Sequence, residues 1–463
     1  MQLDDRVGDA IERAVRAHHR RRLRRIGWEH TLDAVGPAWA GGEPPPRAGN
    51  AVEVLIDGAE ALPRVAAELR RAESHVYLAG WHVTPTFRLG PSREDELRTI
   101  LAELAERIPV RVLVWAGAPL PLFRPSRGDV RRLRETLERG TRIRCALDDR
   151  ERPMHCHHEK LVVVDDRVAF VGGIDLTSYA GNRLDAHTHP ARGEIGWHDA
   201  AARLEGPVVA DVAEHFALRW REVTGEPLPA PRAAEPAGET EVQLLRTIPE
   251  RIYDALPRGD FRILEAYTAA LSGAKRLVYL ESQFLWSPEI VAILAEKLRR
   301  PPTDRFRLVV LLPARPNSGA DDTRGQLGVL AAADDGAGRF LACTLRQRGT
   351  PRKSVYVHAK IGIVDDEWLT LGSANLNEHS LFNDTEVNVA FRDEPLARAT
   401  RIRLWAEHLE RAPEELQGDP TDSVDGLWRR LADDETHHLN WLPNVSRRSK
   451  ALLGPIQSLV VDG

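Results

Sequence analysis

The stretch HEKLVVVDDRVAFVGGID, His158 to Asp175, returns two hundred residues further on as HAKIGIVDDEWLTLGSAN, His358 to Asn375. Five positions repeat at one offset: His158/His358, Lys160/Lys360, Asp165/Asp365, Asp166/Asp366 and Gly172/Gly372. When each residue type makes up about 5% of an ordinary chain, such agreement is not a chance event. The chain is therefore a duplication with one chemical half-site per copy. His and Lys two apart on a strand share a face, while LVVV and IGIV carry on into the sheet interior. The paired aspartates make a turn, VAFV is the returning strand, and Gly172-Gly173 let the backbone bend or approach a ligand closely.

Working outward, the segment before the first motif reads as strand, helix, strand, the unit of a largely parallel sheet. AVEVLIDG is a strand and turn from Ala51, Ala59 to Ala72 an apolar-periodic helix, and HVYLAGW (His75 to Trp81) a second strand. A helix over Arg93 to Arg107, the strand VRVLVWAG, a helix over Asp129 to Arg139 and a short strand from Arg142 to Leu147 lead to the motif. Between them APLPLFRPSRGD is a Pro-rich loop exposing Leu120, Leu122 and Phe123 where clefts of open α/β sheets lie. Residues 177 to 197 lack periodicity and read as a long functional loop. A strand and turn from Trp197 and a helix over Ala210 to Val223 close the copy.

The same order returns after a Pro/Ala/Gly linker, through VQLLRT, RLVYLESQF, RLVVLLP and LACTLR, to the second motif and the strand NDTEVNVAF. The expected architecture is α/β, two similar domains, each a mixed, mostly parallel sheet flanked by helices and related by pseudo-twofold symmetry. The boundaries are an N-terminal basic helical segment (1–48), a first domain (49–224), the linker (225–240) and a second domain with a C-terminal helical extension (241–463). The basic segment, ending in HHRRRLRR, is a packing helix with a solvated end, or one that lies on an anionic membrane surface. The last fifty residues are expected to clasp the domain interface.

The formal net charge of −5, from 64 basic and 69 acidic side chains, opposes non-specific polyanion binding, so no nucleic-acid partner is expected. Three cysteines, Cys145, Cys156 and Cys343, form no disulfide framework, and Cys156 reads as a small apolar filler. There is no apolar signal core and no run of 18 apolar residues. A soluble, cytoplasmic monomer that touches membranes peripherally is the expectation.

Two histidines and two lysines, one pair per copy, offer an imidazole nucleophile beside an imidazolium acid, with ammonium groups for an anionic oxygen. That suits attack on a phosphodiester. Asn375 and loop N–H groups can donate to the charge as it builds. The imidazoles must differ in protonation, and each needs a carboxylate on its second nitrogen. Asp199 and Glu386 each begin or lie in the strand after the motif hairpin of their own copy, which places Asp199 in the half-site of His158. No metal or other cofactor is required. The metal alternative rests on the clusters His155-Cys156-His157-His158 and His187-Thr188-His189, neither of which has a paired C-x-x-C or H-E-x-x-H spacing.

These motifs, H-x-K-x4-D followed by Gly-Gly or Gly-Ser, twice in one chain, resemble the phospholipase D superfamily. The flanks GWHDAAARLEGPVVADVAEHFALRW, VYLESQFLW and YVHAKIGIVDDEWLTLGSANLNEHSLFNDTEV resemble the phosphatidylcholine-type phospholipases D, over roughly residues 50 to 410. The resemblance implies a cleft between the domains, a phospholipid substrate and a covalent phosphohistidine intermediate. It makes His158 the nucleophile and His358 the acid, with Asp165 and Asp365 bracing the structure. Departures from the family pattern bear on headgroup preference. Gly173 and Asp175 stand where the second copy has Ser373 and Asn375, so the phosphate-facing hydroxyl and amide come from one side. Ser282 replaces the usual Asn, and Arg183 and Asp185 approximate the usual Arg-Trp-Asp. Cardiolipin or phosphatidylserine synthesis, nuclease-like cleavage and a silent lipid-binding scaffold are the alternatives. Cardiolipin synthases generally carry N-terminal membrane spans that this sequence lacks.

Overall fold

The computed structural model describes residues 3–36, 38–119, 124–183, 196–317, 319–347 and 353–446. Leu120, Leu122, Phe123, Asp185, His187 and His189, singled out above, lie outside the described residues. The duplication is visible strand by strand. In the first copy the sheet runs Arg144–Asp148, Val110–Trp115, Val76–Gly80, Leu161–Val164, Val168–Gly172, Ala200–Glu205 and Arg47–Ile56. In the second, Phe340–Leu345, Arg307–Leu311, Leu277–Glu281, Ile361–Val364, Trp368–Gly372, Glu386–Phe391 and Thr240–Ile248 follow the same order.

Each sheet is mixed. The first three strands named in each copy pair in parallel, joined by helices, and the motif hairpin and the strands beyond it pair antiparallel. The antiparallel share exceeds what the opening strand, helix, strand order suggests, because the hairpin returns directly, without a crossover helix. The two sheets meet where Arg47–Ile56 pairs with Thr240–Ile248, so one sheet, of 16 strands among the described residues, runs through both copies.

The hairpin turn is set locally. Asp165 and Asp166 have φ of +59° and +54°, and Asp365 and Asp366 have +56° and +59°. Aspartate tolerates this left-handed region better than most residues because its short polar side chain bonds nearby backbone. Asp165 accepts N–H bonds from Glu73, Ser74 and His75, and Asp365 accepts them from Lys275, Arg276 and Leu277. Each motif aspartate thus ties its hairpin to the strand alongside, and neither reaches the paired histidines.

One apolar core spans both copies. Val208–Thr224 packs Val212, Phe216 and Trp220 into it, and Glu394–Leu409 packs Leu404 and Trp405. The opposite sheet faces carry separate cores, one under Asp57–Arg70 and Leu97–Ala105, the other under Arg262–Gly273 and Pro288–Arg299. Continuity of the middle core makes the relative placement of the two copies a packing constraint.

The termini sharpen two expectations. The helix Leu3–Ile26 packs on the second copy: Arg22 forms a buried ion pair with Glu250 at 2.7 Å, and His19 stacks on Phe382 at 4.0 Å between ring centroids. Of its basic end, His19 and Arg22 are buried against the second copy, while Arg21, Arg24 and Arg25 are exposed. The C-terminal segment is described only to Ser446, and in that part it extends the second sheet. Its strand Leu439–Trp441 adds antiparallel to Phe340–Leu345 at the outer edge of the second sheet, because that edge offers unpaired backbone groups. Among the described residues no helix is long and apolar enough to cross a membrane.

Candidate active site

The lead-in to each motif histidine crosses to the other copy. His157 bridges Thr385, the His158 N–H donates to the Thr385 carbonyl at 2.9 Å, and the Thr385 N–H donates to Cys156. Reciprocally, Tyr356–Val357 pairs in parallel with Trp197–His198, and the N–H groups of His358 and Ala359 both donate to the His198 carbonyl. His158 and Lys160 therefore sit in extended chain just ahead of Leu161–Val164, held by cross-copy pairing rather than by the strand itself.

That crossing decides the carboxylate partners. His158 Nδ1 lies 3.1 and 3.2 Å from the oxygens of Glu386, and His358 Nδ1 lies 2.7 Å from Asp199 Oδ2. The expectation that Asp199 shares a half-site with His158 is corrected: Asp199, from the first copy, serves the histidine of the second. The equivalence of Asp199 and Glu386 between copies was legible, but which imidazole each meets depends on the interface. The two histidine rings face each other edge-on, centroids 6.5 Å apart.

Lys160 Nζ donates to the His158 carbonyl at 2.7 Å and lies 3.9 Å from Asp175, while Lys360 Nζ donates to the His358 carbonyl. An ammonium has three N–H donors, so these contacts do not exhaust either lysine. All four motif side chains are buried.

Positions that differ between copies have steric reasons. A Cβ on Gly173 would come within 2.1 Å of Asp199 Oδ1, so glycine there leaves room for the carboxylate. Ser373, its counterpart, donates its hydroxyl to Glu386 Oε2, so that hydroxyl is engaged by the carboxyl group. Ser380 donates to Glu386 Oε1 at 2.6 Å. Asn375 is fully buried with Nδ2 3.4 Å from Gln283 Oε1. Asp175 accepts N–H bonds from His82 and Leu176, and burial pushes its carboxyl up to about 6. Ser282 donates to the Phe284 carbonyl at 2.6 Å.

The electrostatics separate the two halves. Burial, and then the charges of Lys160 and Lys360, hold the His158 imidazole well below its ordinary pKa. Burial and Lys360 lower His358 to about 3 despite Asp199. Although burial opposes it, the contacts of Asp199 with His358 and Lys360 bring its carboxyl down to about 2, so it is ionised. Burial, reinforced by the charge of Asp384, pushes Glu386 up to about 8. His358 faces a carboxylate, and His158 faces a carboxyl that is largely neutral at pH 7.

Sequence reasoning missed several groups near these histidines. Trp197 packs its ring 4.5 Å from His358 and stacks on Tyr356, whose hydroxyl is bonded by Gln283 Nε2 at 2.8 Å. Beneath them His198 bridges Asp57 at 3.0 Å and Glu281 at 2.7 Å, and these two carboxylates raise its pKa well above the ordinary value although burial pulls it down. Neither the aromatics nor this network repeats between copies, so the internal comparison that exposed the motifs could not expose them.

The chain is similar to several known proteins. Residues 341–440 match the family model described as Phospholipase D (PLDc). The chain is 24% identical over 471 residues to Phospholipase D A of Dictyostelium discoideum, covering 81% of this chain and 36% of that protein. It is 23% identical to Phospholipase D1 of Schizosaccharomyces pombe, covering 89% of this chain and 39% of that one. It is also 24% identical to the major cardiolipin synthase ClsA of Bacillus subtilis, covering 75% and 67%. The chain thus spans well under half the length of the first two relatives. Among solved structures, the phosphatidylserine synthase of Haemophilus influenzae Rd KW20 shares the fold, with a TM-score of 0.52 and 12% identity over 82% of this chain and 92% of that one.

Proposed function

We propose that this chain, a member of the phospholipase D superfamily, is a phosphodiesterase and phosphatidyltransferase that cleaves the distal phosphodiester bond of a phosphatidylcholine-type phospholipid. The observation that carries this reading is the pair of crossed couples, His158 with Glu386 and His358 with Asp199, facing each other between two lysines.

His158, neutral because of burial, donates Nδ1–H to Glu386 and presents the Nε2 lone pair to phosphorus. Attack forms the N–P bond as the bond to the headgroup oxygen breaks. His358 supplies the proton to that oxygen, and ionised Asp199 stabilises the imidazolium from which it comes. The entering phosphodiester anion offsets the charges of Lys160 and Lys360, which raises His358 toward the protonated form the step needs. Neutral His358 then takes a proton from water or from another alcohol, which attacks the phosphohistidine and releases phosphatidic acid or a new phosphatidyl ester. Cationic side chains neutralise the oxygens throughout, so the step needs no metal.

Choline release from phosphatidylcholine vesicles tests the assignment. Replacing His158 or His358 with alanine should abolish it, and chelators should not. Full activity in either variant sinks the proposal. Adding ethanol separates the outcomes, since phosphatidylethanol marks transfer and phosphatidic acid marks hydrolysis. Labelled phosphate trapped on His158 would exclude a silent lipid-binding scaffold.

A further inference from the structure

Beside the catalytic pair, and separate from it, three potential metal ligands from the two copies converge. His155 Nδ1 lies 3.0 Å from His379 Nδ1 and 3.3 Å from Asp384 Oδ1. The ligand atoms of all three residues fall within 4.8 Å of one another. His379 and Asp384 are fully buried, and His155 is mostly so.

Hydrogen bonding alone accounts poorly for this geometry. Two Nδ1 atoms that face each other share at most one proton, and the same His155 Nδ1 also faces the Asp384 oxygen. Buried His379 Nε2 and Asp384 Oδ2 make no hydrogen bond at all. By contrast, donors held 2.0–2.1 Å from a tetrahedral zinc ion stand roughly 3.3–3.4 Å apart, close to the two spacings that His155 makes. A second buried group, His198, Glu281 and His408, differs: His198 Nε2 and His408 Nε2 each bond a different oxygen of Glu281, at 2.7 and 3.0 Å, as a hydrogen-bonded network.

We propose that His155, His379 and Asp384 form a binding site for a zinc-class divalent transition metal. Two imidazoles and one carboxylate suit such an ion, and leave a fourth position for water. An entry path exists, because His155 and His379 line a cleft of about 430 Å³ that His18, His19 and Glu378 also border. A bound ion would clamp the two copies at the point where they cross. The Cys156 N–H donates to Asp384, and the chain then passes directly from Asp384 to Thr385 and Glu386, and from Cys156 to His158. The site is structural and takes no part in the reaction proposed above, so metal binding stands or falls apart from that reading.

The test uses the full chain, stripped with chelator, re-equilibrated with zinc chloride and freed of excess metal by buffer exchange. Elemental analysis is expected to find one zinc per chain, with a raised melting temperature. H379Q and H155Q, each checked for native circular dichroism, should retain background zinc and lose the thermal shift. The double variant H158Q/H358Q should keep both. Failure of the parent chain to retain zinc, or equal retention by H379Q and H155Q, would overturn the site. Loss of zinc in H158Q/H358Q would overturn it too, by moving the metal to the catalytic pair.

Discussion

Asp199 of the first copy lies 2.7 Å from Nδ1 of His358 in the second. The reciprocal couple, Glu386 with His158, is longer and surrounds its carboxyl with two serine hydroxyls. The duplicated chain is thus symmetric in its motifs and asymmetric in the charge behind them. One imidazole is backed by an anion, the other by a group that burial holds largely neutral.

This asymmetry predicts unequal mutants. D199N removes the charge that stabilises protonated His358 and should lower kcat by about 100-fold or more with little change in KM. E386Q resembles the state Glu386 already holds at neutral pH and should cost about 10-fold or less. Steady-state kinetics at pH 7 checks this, and an equal loss in both variants would contradict the proposed division of labour.

G173A adds a Cβ where Asp199 Oδ1 already lies. Displacing that carboxylate should reproduce much of the D199N defect in kcat, while the circular dichroism stays native. Wild-type kcat in G173A would mean that Asp199 can move without consequence.

D165A and D365A should act on stability instead of chemistry. Each removes an acceptor of three backbone N–H groups, at a cost of about 1–3 kcal/mol each way the groups are left unmet, tempered by their partial exposure to water. Denaturant midpoints should fall, and kcat per folded molecule should hold. A selective loss of kcat would argue instead for contact with the substrate.

Acid should unfold the protein partly through its histidines. His358 is held at about 3 when folded against an ordinary 6.5, so below pH 6.5 the unfolded chain binds a proton that the folded one refuses. Stability from this group is complete above pH 6.5 and declines as pH falls toward 3. H358Q should flatten the fall of unfolding free energy over that window by up to one proton. Glu386, held up to about 8, works in the opposite direction: its contribution declines as pH rises from the ordinary carboxyl range toward 8, and E386Q should remove that decline. Denaturant titrations at several pH values read both slopes.

The elements of each copy were legible because they rest on local periodicity. Alternating and continuous apolar runs marked the strands from Val110 and Arg307. The turn role of Asp165-Asp166 was equally local. The C-terminal strand Leu439–Trp441 was missed since three residues carry too little pattern, and only the open edge beside Phe340–Leu345 makes them a strand.

By itself the sequence determined that there are two copies, that each contributes a His and a Lys, and that Asp199 and Glu386 stand at equivalent places. These follow from residue identity and spacing along one chain. Tertiary structure alone decided that the carboxylates cross over, so that Asp199 meets His358 and Glu386 meets His158. It also decided that burial and the two lysines make these couples electrostatically unlike. The physical reason is that partner and pKa depend on distance and dielectric across an interface, and segments some two hundred residues apart acquire both only when the shared core packs the copies together.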